Sequence, residues 1–135
     1  MYLVSVEVKR SAIDGLGVFA KYPINKGTVV WQFEASHDQV CTVDDFESLA
    51  KAKQDELKRV AYLSPTTNRW VYPPEDDPAR FTNHSNENNL SVVIDPSVSE
   101  EPYFIANKNI AAGQELTNNY REFDQITQRE RPKWA

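Results

Sequence analysis

Two segments concentrate the residue types able to do chemistry: Arg80-Phe81-Thr82-Asn83-His84-Ser85-Asn86-Glu87-Asn88-Asn89-Leu90, and Glu115-Leu116-Thr117-Asn118-Asn119-Tyr120. A phenol with an ordinary pKa of about 10 is a poor general base at neutral pH, so Tyr120 reads as a hydrogen-bonding and positioning group. Asn83 and His84 read as acting largely through backbone N–H and C=O groups and a fixed turn, with the imidazole locking the loop. Metal chemistry built on His84 with His37 or Cys41 is rejected, because these scattered ligands lack tight spacing. A third segment, Asp14-Gly15-Leu16-Gly17-Val18-Phe19-Ala20, has two closely spaced glycines. It is not a dinucleotide-binding fingerprint: the third glycine is missing and no strand-to-helix passage follows.

The elements that must position these residues are mostly short strands. Val4, Val6 and Val8 alternate with polar neighbours, the period-two pattern of a half-buried strand. Further β-rich runs lie at Val29 to Phe33, Trp70 to Tyr72, Leu90 to Ile94 and Tyr103 to Ala106, separated by prolines at 73, 74, 78, 96 and 102. One helix is expected from Thr42. Thr42 with Asp45 suggests a capping box, Glu47–Lys51 and Asp55–Arg59 are i,i+4 pairs, and Phe46, Leu49, Leu57, Val60 and Ala61 share a face. An internal echo relates Ala20 to Val30 with Ala106 to Leu116, sharing Ala, Ile and Gly at equal offsets. Each copy reads as strand, Ile-x-x-Gly turn, strand.

With 135 residues the chain reads as one domain able to bury a core. Cys41 is the single cysteine, which suits a reducing compartment and excludes both an internal disulfide and a Cys-based zinc site. The formal charge of −5, with acidic clusters at Asp44-Asp45, Glu75-Asp76-Asp77 and Glu100-Glu101, argues against direct nucleic-acid binding and suits a basic protein partner. Without a basic leader or a long apolar run, the expectation is a soluble intracellular protein with no membrane association, cytoplasmic, or nuclear in a eukaryotic or viral setting. The glycosylation sequons at Asn83 and Asn89 then carry no weight. A homodimer is allowed, although no interface can be named.

Taken together and in this order, the three segments resemble the SET domain, the fold of protein lysine methyltransferases. The resemblance spans about residues 3 to 121 and implies a mostly β, β-clip-like fold. It would have several small sheets of short strands, one inserted helix and a knot-like C-terminal crossing. It divides the chain into a minimal SET domain at 1–121, with a variable insert at about 36–69, and a tail at 122–135. The implied activity is S-adenosylmethionine-dependent N-methylation of a lysine in a histone-like or other basic protein, yielding S-adenosyl-L-homocysteine without a metal. A non-catalytic peptide or cofactor module, or a methyltransferase acting on a non-histone protein or small amine, are the alternatives.

Residue by residue, the resemblance places Gly15, Leu16, Gly17, Arg80, Phe81, Asn83, His84 and Tyr120 at the cofactor. Arg80 is expected to bind a carboxylate; Phe81 packs either on the base or in the core. Tyr120 is the expected catalytic residue, with Tyr72 the choice for a second channel tyrosine over Tyr62 and Tyr103. Asn118 stands at a channel position that is often Tyr or Phe in the family and that tunes the number of methyl groups. Asn119 stands where Asp is common, and of the usual Cys-x-Pro-Asn only Asn89 is kept. No cysteine-rich segment follows Tyr120, so Phe123 or Trp134 is expected to fold over the channel as an aromatic lid.

Overall fold

The computed structural model describes residues 1–129. Ten short strands form three sheets. Strands β1 (Val6–Arg10), β2 (Leu16–Ala20), β7 (Asn83–His84) and β10 (Glu115–Asn118) make the first, in the order β1-β2-β10-β7. The second joins β3 (Val29–Trp31), β9 (Tyr103–Ala106) and β8 (Leu90–Val93); the third joins β4 (Gln39–Thr42), β6 (Arg69–Tyr72) and β5 (Tyr62–Leu63). The mostly β class expected of the sequence is the class observed.

The pairing in the first sheet decides where the chemistry sits. β10 runs antiparallel to β2 but parallel to β7, with Thr117 beside Asn83 and Asn118 beside His84. The two chemically rich segments, remote in sequence, therefore become neighbouring strands. Asn89 fastens the same strand from the other segment: its Nδ2 donates to the Glu115 carbonyl at 2.8 Å and its Oδ1 accepts from the Thr117 amide at 2.9 Å. A buried amide side chain thus supplies the strand with hydrogen bonds that would otherwise be missing.

The internal echo is a pair of interlocked turns. Ile24 and Ile110 exchange backbone hydrogen bonds, each 2.8 Å long, Gly27 N–H donates to the Ala106 carbonyl, and Gly113 N–H donates to the Ala20 carbonyl. Each turn closes on the strand that precedes the other. The turns need a left-handed residue, and Gly27 and Gly113 supply it at φ 90° and 85°.

The expected single helix is broken in two, α1 (Val43–Glu47) and α2 (Lys51–Lys58). Thr42 caps α1 by accepting from the Asp45 amide, as its position implies. The break at residues 48–50 places Glu47 and Lys51 in different helices, and the ion pairs on α2 are instead Lys51–Asp55 and Lys53–Glu56. Val60 and Ala61 lie past the end of α2. Phe46 and Leu57 still bury against Trp70, Phe46 stacking on its ring at 4.3 Å, so this small core fixes the insert to β6. The main core, with Val18, Val30, Leu90, Ala106 and Leu116 fully enclosed, lies between the first two sheets. No helix among the described residues is long and apolar enough to cross a membrane.

Candidate active site

Two cavities meet at Tyr120. One, of about 300 Å³, is the more polar of the two, bringing Asp14, Asn83, His84, Lys58, Arg59 and Asp124 together with the apolar Ile13, Ala61, Trp70 and Ile126. The other, of about 40 Å³, is narrow and largely apolar, with Trp31, Tyr72, Phe104, Asn118 and Phe123 in its wall. Thr82 and Tyr120 line both. The arrangement is a ligand-sized cleft and a slender aromatic channel that share a phenol in their walls.

The phenol is held from its own backbone. The Tyr120 amide donates to His84 Nδ1 at 3.2 Å, while His84 Nε2 faces Asn86 Oδ1 at 3.2 Å. An accepting Nδ1 requires the tautomer with the proton on Nε2, which Asn86 can accept. Desolvation, assisted by the nearby Arg121 cation, lowers the His84 pKa, so the ring is neutral at pH 7 as this geometry demands. Burial, reinforced by the Asp124 carboxylate, pushes the Tyr120 hydroxyl up to about 12. It stays protonated and can donate or accept a hydrogen bond without acting as a base.

Asn83 acts through its side chain more than the sequence suggested. Its Nδ2 lies 3.1 Å from the carbonyls of Asp14 and Leu16 and 2.8 Å from Glu115 Oε2, tying the glycine loop to β10. Ser11 Oγ donates to the other oxygen of Glu115 at 2.6 Å. Gly17 packs against this carboxylate: a Cβ there would stand 2.4 Å from Glu115 Oε2. From this loop Ile13 and Asp14 line the cleft, whereas Gly15, Leu16 and Gly17, expected at the cofactor, line neither cavity.

Arg80 and Phe81 lie elsewhere. Arg80 Nε donates to the carbonyls of Pro73 and Pro74, at 3.1 and 2.8 Å, and lines neither cavity. Phe81 is neither core nor cavity wall but 38% exposed. Among the described residues, the cations lining the polar cleft are Lys58 and Arg59 at the end of α2, neither of them among the expected cofactor residues. Their adjacency in the sequence was the available signal.

In the apolar channel, Tyr72 is joined by Tyr62 and by Tyr2. Tyr62 is buried with its hydroxyl donating to the buried Glu101 carboxylate at 3.3 Å, and Tyr2 shares a 2.7 Å hydrogen bond with Thr82. Burial raises both phenols above the usual range. Phe123, expected as a cover, is 2% exposed and packs edge-on against Tyr62 and Phe104, with Tyr120 4.9 Å away. It is a fixed wall, held because Asp124 beside it accepts from the Leu63 amide and from Thr127. Trp134 lies outside the described residues. Asn118 is 8% exposed, and its Oδ1 has no hydrogen-bond partner among the described residues. Asn119 accepts from the Arg121 amide and caps the turn that begins at Tyr120, a task its oxygen performs as an Asp would.

Residues 15–121 match the SET domain family, and the chain belongs to that family. Among solved structures it is similar to apo Polycomb Repressive Complex 2 of Chaetomium thermophilum carrying mutations in Ezh2: 24% identity over 93% of this chain and 16% of that one, TM-score 0.71. It is also similar to a Plasmodium falciparum protein proposed to be a histone methyltransferase, at 18% identity over 98% of both chains, TM-score 0.59. A third is the Chaetomium complex with trimethylated histone H3, at 24% identity over 87% of this chain and 14% of that one, TM-score 0.65. This chain thus spans about one-sixth of the Chaetomium chain's length and nearly all of the Plasmodium one. No curated protein matches its sequence.

Proposed function

We propose that this protein is an S-adenosylmethionine-dependent protein lysine N-methyltransferase. The observation that carries the reading is the position of Tyr120, at the junction of a polar cleft and a narrow apolar channel. Two substrates entering from opposite sides would meet at its hydroxyl. The cleft fits the cofactor in chemistry: Lys58 and Arg59 oppose the carboxylate, and Asp14 an amine or ribose hydroxyl, of a ligand that also carries a cationic sulfur. When bound, S-adenosylmethionine supplies a methyl group on that sulfur.

The chain's own task is to align an amine and to favour its neutral form. Free lysine has a pKa of about 10.4 and no lone pair to attack with at neutral pH. Trp31, Tyr72, Phe104 and Phe123 strip water from the entering side chain, which lowers that pKa by desolvation. The Tyr120 hydroxyl and Asn118 Oδ1 orient the nitrogen. Alignment of this kind contributes several kcal/mol to a displacement. The substrate is a lysine-bearing basic protein, for which histones are the leading class and to which the chain's net charge of −5 is complementary.

The test is transfer of labelled methyl from S-adenosylmethionine to lysate proteins, followed by identification of the modified side chain. Methyl-lysine in a defined protein supports the reading. Cofactor binding by calorimetry without transfer to any acceptor would favour a binding module instead.

A further inference from the structure

We propose that His37, Asp38 and Asp77 form a binding site for a divalent transition cation, Zn²⁺ or Mn²⁺, separate from the methyl-transfer centre. One potential ligand atom from each residue lies within 4.8 Å of the other two. His37 Nε2 is 2.5 Å from Asp77 Oδ2. Asp38 and Asp77 are both buried, at 7% and 4% exposure, where carboxylates are costly, and the groups that face them are the Met1 amine on Asp38 and the His37 ring on Asp77.

The independent observation is Asp38 Oδ1, which is buried and accepts no hydrogen bond among the described residues. Its twin, Oδ2, is fully used, accepting from the Glu34 amide at 2.9 Å and the Met1 amine at 3.1 Å. Asp77 repeats the pattern: Oδ1 accepts from the Ala79 amide at 2.8 Å, leaving Oδ2 toward His37. In each carboxylate one oxygen is fixed by a backbone N–H; the second is without a partner in Asp38 and bonds the His37 ring in Asp77. Outer hydrogen bonds of this sort orient metal ligands.

The donor set selects the metal. One imidazole with two carboxylates, and no thiolate, suits borderline first-row divalent ions better than Cu(I), and the imidazole disfavours Ca²⁺ and Mg²⁺. Ligand atoms around a tetrahedral ion with bonds of about 2.1 Å stand roughly 3.4 Å apart. Closing on an ion therefore means parting His37 from Asp77 Oδ2, whose proton the metal replaces, and drawing in the wider spacings of the cluster. The grouping of His37 with His84 or Cys41, rejected on the sequence, is not this cluster: His37 is grouped with its own neighbour and Asp77. Asp77 caps the 3-10 turn Pro78–Phe81 that leads into Asn83–His84, while His37 and Asp38 precede β4. An ion here would staple the start of the insert to the segment carrying the catalytic loop.

The full chain is stripped with a chelator and titrated by calorimetry with ZnCl₂ and, separately, MnCl₂, with thermal unfolding recorded at each end point. We expect one ion per chain for at least one metal, with a raised Tm that the chelator reverses. His37→Gln and Asp38→Asn are each expected to weaken binding by about tenfold or more, whereas Cys41→Ser keeps it. Should either variant fold poorly, Mn²⁺-induced broadening of the His37 ring protons in the unsubstituted chain serves instead. Binding of neither metal at 100 µM, retention of binding in both variants, or broadening confined to other residues would overturn the proposal.

Discussion

The amide of Tyr120 hydrogen-bonds His84 Nδ1 at 3.2 Å, joining the phenol between the two cavities to the strand that lines the polar one. The ring must be neutral to accept this bond. Its folded pKa is lowered, so the native state binds the proton less readily than the unfolded chain. Stability contributed by this group is present above the unfolded value of about 6.5 and is lost as pH falls through that value toward the folded one. Chemical denaturation between pH 8 and pH 5 is expected to show a loss that His84→Gln diminishes. An equal slope in the variant would locate the effect elsewhere.

Asn118 carries a buried acceptor without a partner, a cost on the order of 1–3 kcal/mol. An apolar residue of similar size is expected to relieve it. Asn118→Leu should raise stability by about 1 kcal/mol while weakening amine capture, seen as a higher KM for a lysine peptide. A variant that is neither more stable nor poorer in KM would show that the oxygen faces no substrate.

Gly17 admits no side chain while Glu115 stays where Ser11 and Asn83 hold it. Gly17→Ala displaces that carboxylate and frees the loop, with an expected loss of about 1–3 kcal/mol and weaker cofactor binding. Calorimetry and thermal unfolding of the variant read both. Glu115→Gln, which keeps the shape, should show a smaller loss.

Lys58 and Arg59 face the polar cleft, whereas Arg80 is spent on two carbonyls. Replacing Lys58 and Arg59 together by Ala is expected to weaken S-adenosylmethionine binding by about tenfold. Arg80→Ala should lower stability and leave that affinity within about twofold. The reverse ranking in a calorimetric comparison would return the carboxylate to Arg80.

These contrasts show what the sequence could and could not reveal. Order and spacing along the chain disclosed the Asn83-His84 and Tyr120 segments, because their residue types belong to one recognisable pattern. The Ile24–Ile110 interlock was legible as an internal echo, although its hydrogen bonds were not. Long-range partners were hidden: nothing near Asn89 announces that its side chain will serve β10, and nothing near Arg80 announces the Pro73-Pro74 carbonyls. Phe123 illustrates the same limit. Its place after the presumed catalytic residue suggested a cover, but the Asp124 hydrogen bonds that lock it into the wall link residues far apart in the chain. The helix break after Glu47 was hidden too: Phe46 before it and Leu57 after it both join the cluster around Trp70, a partner that the local helical pattern does not name.

The central claim is that Tyr120 organises methyl transfer to a neutral amine. Single-turnover transfer of labelled methyl to a lysine substrate, measured from pH 6 to 10 for the unsubstituted protein and Tyr120→Phe, tests it most directly, with cofactor affinity measured in parallel. The expected result is a rate that rises with pH in the parent and falls by about a hundredfold in the variant at unchanged cofactor affinity. A flat pH profile together with near-normal turnover in Tyr120→Phe would contradict it.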